Sequence, residues 1–287
     1  MVSVLITGTS KGIGYDSALV LARAGHDVVA TMRNPAASDL AEIAERESLT
    51  MRVVSMDVDD AASVESVFQE YADTVDVLVN NAGILSLEAI EDESMDNFEA
   101  LMQTNYLGAV RCCKAVLPAM RTKEAGCIIN VTSIAGKIPI FAEAAYGASK
   151  AALESFSEVL AQEVLSFGVR VYIVEPGIIS TPMATSELPA FKADSVYSAG
   201  RRMTALYQNA AQMPAPASIV AEKIQYLIES EEDVLRHPVG PDALPFLGWR
   251  LTSSDETFRD NVGVSSDAEF KSRLLRNTMI DLGEFLA

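Results

Sequence analysis

The chain has 287 residues, 49% of them apolar, and a formal net charge of −18. That length suits one large α/β domain whose core needs no disulfide or metal staple. The acidic balance argues against nucleic acid or an anionic membrane surface as a partner, and no run approaches the ~18 consecutive apolar residues of a membrane span. Three cysteines, two of them the adjacent Cys112 and Cys113, make no disulfide framework, and the isolated His26 and His237 offer no metal site. With residues 2–7 too short for a leader segment, the expected location is the cytoplasm.

Residues 2–7 form an apolar run, followed by a glycine-rich turn and an apolar-periodic segment over 13–24 closed by Gly25. Further strands are expected at 27–32, 52–58, 75–80, 127–132 and 169–174, separated by helical patterns at 38–47, 60–71, 94–120 and 144–167. Short apolar strands alternating with such helices imply a parallel sheet covered on both faces. Right-handed crossovers then give a Rossmann-type, doubly wound α/β fold in a single domain, its ligand crevice at the carboxyl ends of the strands. After Pro176 the pattern loosens: 181–216 is proline-rich with a weak helical stretch. A helix is expected at 217–229, a short last strand at 237–240, and an extension over 241–287 that carries a helix at 267–282.

Thr7-Gly8-Thr9-Ser10-Lys11-Gly12-Ile13-Gly14 lies between the first strand and the first helix. Glycines there let backbone N–H groups approach a pyrophosphate where the helix dipole favours negative charge. Asn80-Asn81-Ala82-Gly83 ends the fourth strand, Pro176-Gly177 follows the sixth, and Asn105 is a polar residue inside a long helical segment. Tyr146 and Lys150, four apart, share one helix face, with Ser133 upstream at a strand end. An ammonium ~4 Å from the phenol, at an effective dielectric of ~20, favours the phenolate by up to ~4 kcal/mol, or roughly three pKa units. The pair therefore reads as an acid/base with its own tuning charge.

These motifs together resemble the short-chain dehydrogenases/reductases, the branch with a T-G-x3-G-x-G turn. The resemblance runs in order through Thr7 to Gly14, Asp57, Asn80 to Gly83, Asn105, Ser133, Tyr146, Lys150, Pro176-Gly177 and Thr181. It implies that Tyr146 exchanges a proton with a carbonyl or alcohol oxygen, that Ser133 positions that oxygen, and that Asn105 supports a water-linked proton path to Lys150. Lys150 would hold the nicotinamide ribose and lower the Tyr146 pKa, while Asp57 would accept from the adenine amine. Cofactor contacts are further implied for Gly8, Ser10, Lys11, Gly12, Ile13, Gly14, Val58, Asn81, Ala82, Gly83, Pro176, Gly177, Ile179 and Thr181.

The function expected is hydride transfer between a nicotinamide and a ketone, aldehyde or alcohol. A nucleotide-sensing protein without turnover, and a sugar-nucleotide epimerase or dehydratase, are the alternatives. NADP(H) is the expected cofactor, with NAD(H) second, because the second strand ends Ala30-Thr31-Met32-Arg33 without the carboxylate that binds a ribose 2′-OH. Arg33 and Lys11 supply charge for a 2′-phosphate. Residues 183–213 are the expected substrate lid, and their apolar content suits an apolar carbonyl; Arg201 and Arg202 offer an anionic alternative. The two longest helical segments, 94–120 and 144–167, are apolar over more than one stripe, the second with Phe156 and Val159 among its surplus, and this suggests a homodimer or homotetramer built on both. In look the chain leans toward the hydroxysteroid- and retinol-dehydrogenase-like members.

Overall fold

Seven strands, β1 (Ser3–Thr7), β2 (Asp27–Met32), β3 (Met51–Ser55), β4 (Val77–Asn80), β5 (Gly126–Val131), β6 (Val169–Pro176) and β7 (Arg236–Val239), form one parallel sheet in the order β3-β2-β1-β4-β5-β6-β7. The structure is a computed structural model that describes residues 1–230 and 232–286. Strand order reverses direction between β1 and β4, and that switch opens the crevice expected of a doubly wound sheet.

The helices are α1 (Gly12–Arg23), α2 (Leu40–Glu47), α3 (Ala61–Tyr71), α4 (Met95–Leu101), α5 (Ala109–Lys123), α6 (Ala144–Val164), α7 (Ala199–Ala210), α8 (Ser218–Glu229), α9 (Ala243–Thr252), α10 (Asp255–Val262) and α11 (Asp267–Thr278). Alternation along β1 explains the two layers: Val4 and Ile6 face one side and Leu5 the other. On the first side, Leu21 of α1 and Ile224 and Leu227 of α8 close the core. On the second, Phe68 of α3, Cys112, Cys113 and Val116 of α5, and Leu160 of α6 do so. The three cysteines are buried free thiols, as their apolar surroundings require.

Several boundaries differ from expectation for local reasons. Strand β3 stops at Ser55, opposite the end of β2 at Met32, so Asp57 and Val58 lie on the loop beyond the ladder. Strand β6 runs on to Pro176 because β7 continues pairing as far as Pro176↔Val239. The last helix ends at Thr278, since Met279 turns left-handed with φ 62°. Between α4 and α5 the expected long helix widens into a π-helical stretch, Met102–Gly108, with Asn105 inside it. Such widenings recur at functional sites.

A third apolar cluster lies beyond the sheet. Leu87 of the loop after β4 and Met203 and Leu206 of α7 pack with Phe246, Trp249, Phe258, Phe270 and Leu274 of the extension. The two arginines offered as anion readers belong to this cluster instead. Arg201 and Arg202 both pair with Asp267, at 2.6 and 2.8 Å. Arg202 is only 3% exposed, donates to Val264 O at 2.9 Å and lies over the Phe270 ring at 5.0 Å. It fastens the extension to α7, which leaves Arg202 no free fork for a substrate anion.

Candidate active site

The glycine turn is held from behind by the end of β4. Thr7 Oγ1 accepts from the backbone N–H groups of Asn81 (3.0 Å) and Ala82 (2.9 Å). The Asn81 side chain returns two bonds through Nδ2, to Thr7 O at 2.9 Å and Gly8 O at 3.0 Å. Gly8 has φ 71°, and a Cβ on Gly14 would stand 2.4 Å from both Gly8 O and Asn81 Nδ2. Glycine is thus required by contact as well as by dihedral. The first turn of α1 carries no side-chain cap, so its N–H groups stay available for an anion.

From this turn a cleft of about 440 Å³ runs along the carboxyl ends of the strands to Tyr146 and Phe246. It brings together Gly8, Ser10, Lys11, Gly12, Ile13, Arg33, Asp57, Val58, Asn81, Ala82, Gly83, Ser133, Tyr146, Lys150, Pro176, Gly177, Ile179 and Thr181. Of the expected positions, Gly14 and Asn105 stand behind the wall and shape it.

At one end Met32 is buried where a ribose-binding carboxylate would sit. Arg33 is exposed at the rim. Asp57 faces the cleft while its Oδ1 accepts from Asp59 N at 3.0 Å. Capping of α3 falls to Asp60, whose Oδ1 accepts from Ala62 N, so Asp57 has no cap to make. Lys11 pairs across the cleft with Glu187, in the segment after β6, a partner that the sequence did not suggest.

At the other end the first turns of α6 present Tyr146 and Lys150. Lys150 is 4% exposed, donates to Val131 O at 3.0 Å, and lies 5.8 Å from the centre of the Tyr146 ring. Burial lowers its pKa to about 8, against the pull of Glu154 one turn further along. Ser133 Oγ donates to Pro176 O at 3.3 Å and accepts from Ala135 N at 3.2 Å. The expected lowering of the Tyr146 pKa is not found. Burial pushes the phenol well up; Ser133 pulls it down less strongly, and Glu143 adds to the rise. The ammonium is bound to the strand at Val131 O, and the cost of burying the phenolate dominates.

Asn105 is 1% exposed and its side chain is fully engaged. Oδ1 accepts from Ile84 N at 2.8 Å, and Nδ2 donates to Ile84 O at 2.9 Å and Ser149 Oγ at 3.0 Å. Its amide thus fastens the loop after β4 to α6.

The family model described as short chain dehydrogenase matches residues 3–190. This chain belongs to that family. Oxidoreductase BOA17 of Botryotinia fuckeliana (strain B05.10) is 34% identical over 265 residues, covering 89% of this chain and 96% of that one. Retinol dehydrogenase 8 of Bos taurus is 36% identical over 243 residues, 77% of each chain. Among solved structures, a closed form of serine dehydrogenase complexed with NADP+ superposes with a TM-score of 0.70 at 28% identity, covering 83% of this chain and 94% of that one. The dehydrogenase fold, the nicotinamide-binding cleft and an oxidoreductase acting on CH–OH groups stand on these likenesses together.

Within the dehydrogenase, sequence reasoning missed two acidic residues of the far wall of the cleft, Glu143 and Asp242, which are set among Ile138, Met203, Tyr207 and Phe246. For Glu143 a signal existed, because a residue three before Tyr146 shares its helix face. Asp242 left none: its Oδ2 accepts from Ile178 N at 2.9 Å across 64 residues of chain.

Proposed function

We propose that this dehydrogenase is NADP(H)-dependent and interconverts a ketone or aldehyde with the corresponding alcohol, with Tyr146 as the acid/base. The carrying observation is one continuous cleft with Arg33, Asp57 and the glycine turn at one end and Ser133, Tyr146 and Lys150 at the other. The turn fits a dinucleotide: uncapped N–H groups of α1 would hold the pyrophosphate, and Gly83, where a Cβ would stand 3.6 Å from Lys150 Nζ, would leave room for a ribose. The cofactor, when bound, supplies or accepts the hydride. Ser133 orients the substrate oxygen, and Tyr146 gives it a proton. Burial keeps that proton on the phenol of the free protein.

The NADP(H) preference rests on Arg33 at the rim and Lys11 opposite, with the apolar Met32 in place of a carboxylate. A related dehydrogenase of known structure holds NADP+, in keeping with this reading. Apolar walls at Ile138, Ile140, Met203, Leu206 and Phe246 suit an apolar body on the substrate. Val159 and Leu165 are exposed on and just after α6 and suit a homo-oligomer built on that helix, although Phe156 is partly used up against Tyr106, 6.2 Å away. No helix among the described residues is long and apolar enough to cross a membrane, in keeping with a cytoplasmic enzyme.

The test is nicotinamide absorbance with a panel of ketones and aldehydes. NADPH should exceed NADH in kcat/KM, and Tyr146→Phe should lower turnover at least ~10²-fold while cofactor affinity holds. Near wild-type turnover in that variant defeats the acid/base assignment.

A further inference from the structure

Glu143 heads α6 one turn before Tyr146 and lines the same cavity. Its carboxyl makes no capping bond to the helix that it begins, and among the described residues it has no ion pair. Glu143 is only partly buried, and among the described residues its carboxyl makes no hydrogen bond to side chain or backbone, so it is open to the cavity that it lines. The groups that face it are Tyr146 on its own helix, Tyr207 of α7, and Asp242 at the start of α9. Asp242 is itself committed to the backbone of Ile178 through Oδ2, and its Oδ1 is buried without a partner.

A carboxylate walled in by protein, beside a second carboxyl and without a cation, is disfavoured relative to the neutral acid. Burial first, and then Asp242, push the Glu143 carboxyl up to about 8. A neutral carboxyl has both an O–H to donate and an oxygen to accept with. In a cavity whose apolar walls here are Ile138, Met203, Leu206 and Phe246, it is a polar point close to the reacting end.

We propose that Glu143 is a specificity-determining residue, which hydrogen-bonds as a neutral carboxyl to a second oxygen function, a hydroxyl or carbonyl, carried by the substrate besides the group that is reduced. This rests on the carbonyl-reductase reading above. It narrows the substrate class from apolar ketones to oxygenated ones with an apolar body. A substrate ammonium is the competing partner; it requires Glu143 to ionise, and a neutral amide in its place could not replace that charge.

The probes are cyclohexanone, the three hydroxycyclohexanones and an aminocyclohexanone, each assayed with NADPH. At least one hydroxyketone should exceed cyclohexanone ~10-fold or more in kcat/KM. Glu143→Leu should bring that ratio close to one, and Glu143→Gln, which can still donate and accept, should keep most of it. Calorimetry of the same ligands on the NADPH-loaded Tyr146→Phe protein, with Glu143 intact or changed to Leu or Gln, gives the ratio without turnover. If no ketone is reduced yet binding discriminates through Glu143, the reductase reading falls and the recognition stands. A ratio near one for all hydroxyketones, equal effects of Gln and Leu, or a preference for the aminoketone overturns the proposal.

Discussion

Replacing Asn105 by alanine tests whether this side chain is a structural tie. The change removes all three of its hydrogen bonds, two to Ile84 and one to Ser149. Ser149 keeps a partner, since its Oγ donates to Tyr146 O at 2.7 Å. The N–H and C=O of Ile84 lose theirs, and a buried group left unpaired costs ~1–3 kcal/mol. Ile84 is only partly buried, so water recovers some of this, and the expected loss is about 2–4 kcal/mol. Urea unfolding should show that loss with an unchanged slope, and hydrogen exchange at the Ile84 amide should speed up by two orders of magnitude or more. Cofactor affinity should fall as well, because the loop from Asn81 to Gly83 loses one of its two anchors while the bonds to Thr7 remain. A variant within ~0.5 kcal/mol of the parent, with Ile84 exchange unaltered, would refute the tie and return Asn105 to a purely proton-conducting role.

Other outcomes follow from the same geometry. Arg202→Leu should cost about 3–5 kcal/mol and expose α9–α11 to protease, whereas Arg201→Ala, at the exposed end of the same pairing, should cost ~1 kcal/mol or less; equal losses would disprove the buried fastening. Glu143 has a folded pKa raised from 4.5 to about 8, so the penalty that it imposes is absent below 4.5 and grows as pH rises toward 8. Glu143→Gln should therefore match the parent near pH 4.5 and exceed it by about 2–4 kcal/mol near pH 7.5, and a pH-independent offset in the denaturation midpoints would contradict this. Gly14→Ala should raise the KM for NADPH at least ~10-fold, since its Cβ would stand 2.4 Å from the backbone oxygen of Gly8, which has nowhere to yield; an unaffected KM would show that the turn is looser than drawn.

The sheet was legible because its strands are apolar on both faces and each is followed by a turn signal. Tyr146, Lys150 and Ser133 were legible because they lie on neighbouring elements close in sequence. What escaped was carried by distant partners. The chain from Asn80 Nδ2 to Asn130 Oδ1 (2.8 Å) and from Asn130 Nδ2 to Ser157 Oγ (2.7 Å) stitches β4, β5 and α6 together with no periodic trace. Arg201 and Arg202 looked free because Asp267 lies 65 residues from Arg202 along the chain. The Tyr146 pKa went astray for a different reason: a pair energy in a uniform dielectric omits the cost of burying both members.

The turn after β6 joins two ligand regions through one peptide. Gly177 lines the cofactor cleft, and a Cβ there would stand 2.1 Å from Asp242 Oδ1, while the next amide, Ile178 N, is held by the other oxygen of the same carboxyl. Asp242 opens the extension whose Phe246 walls the substrate end. Order imposed on this turn by a dinucleotide is therefore order imposed on the first turn of α9. Local opening of α9–α11 is expected to be linked to cofactor binding, and hydrogen exchange there should slow as the opening free energy rises with RT ln(1 + [L]/Kd) when the open form does not bind. Positive coupling between cofactor and substrate is the expected outcome, to be read by calorimetry as tighter substrate binding to the cofactor-loaded protein.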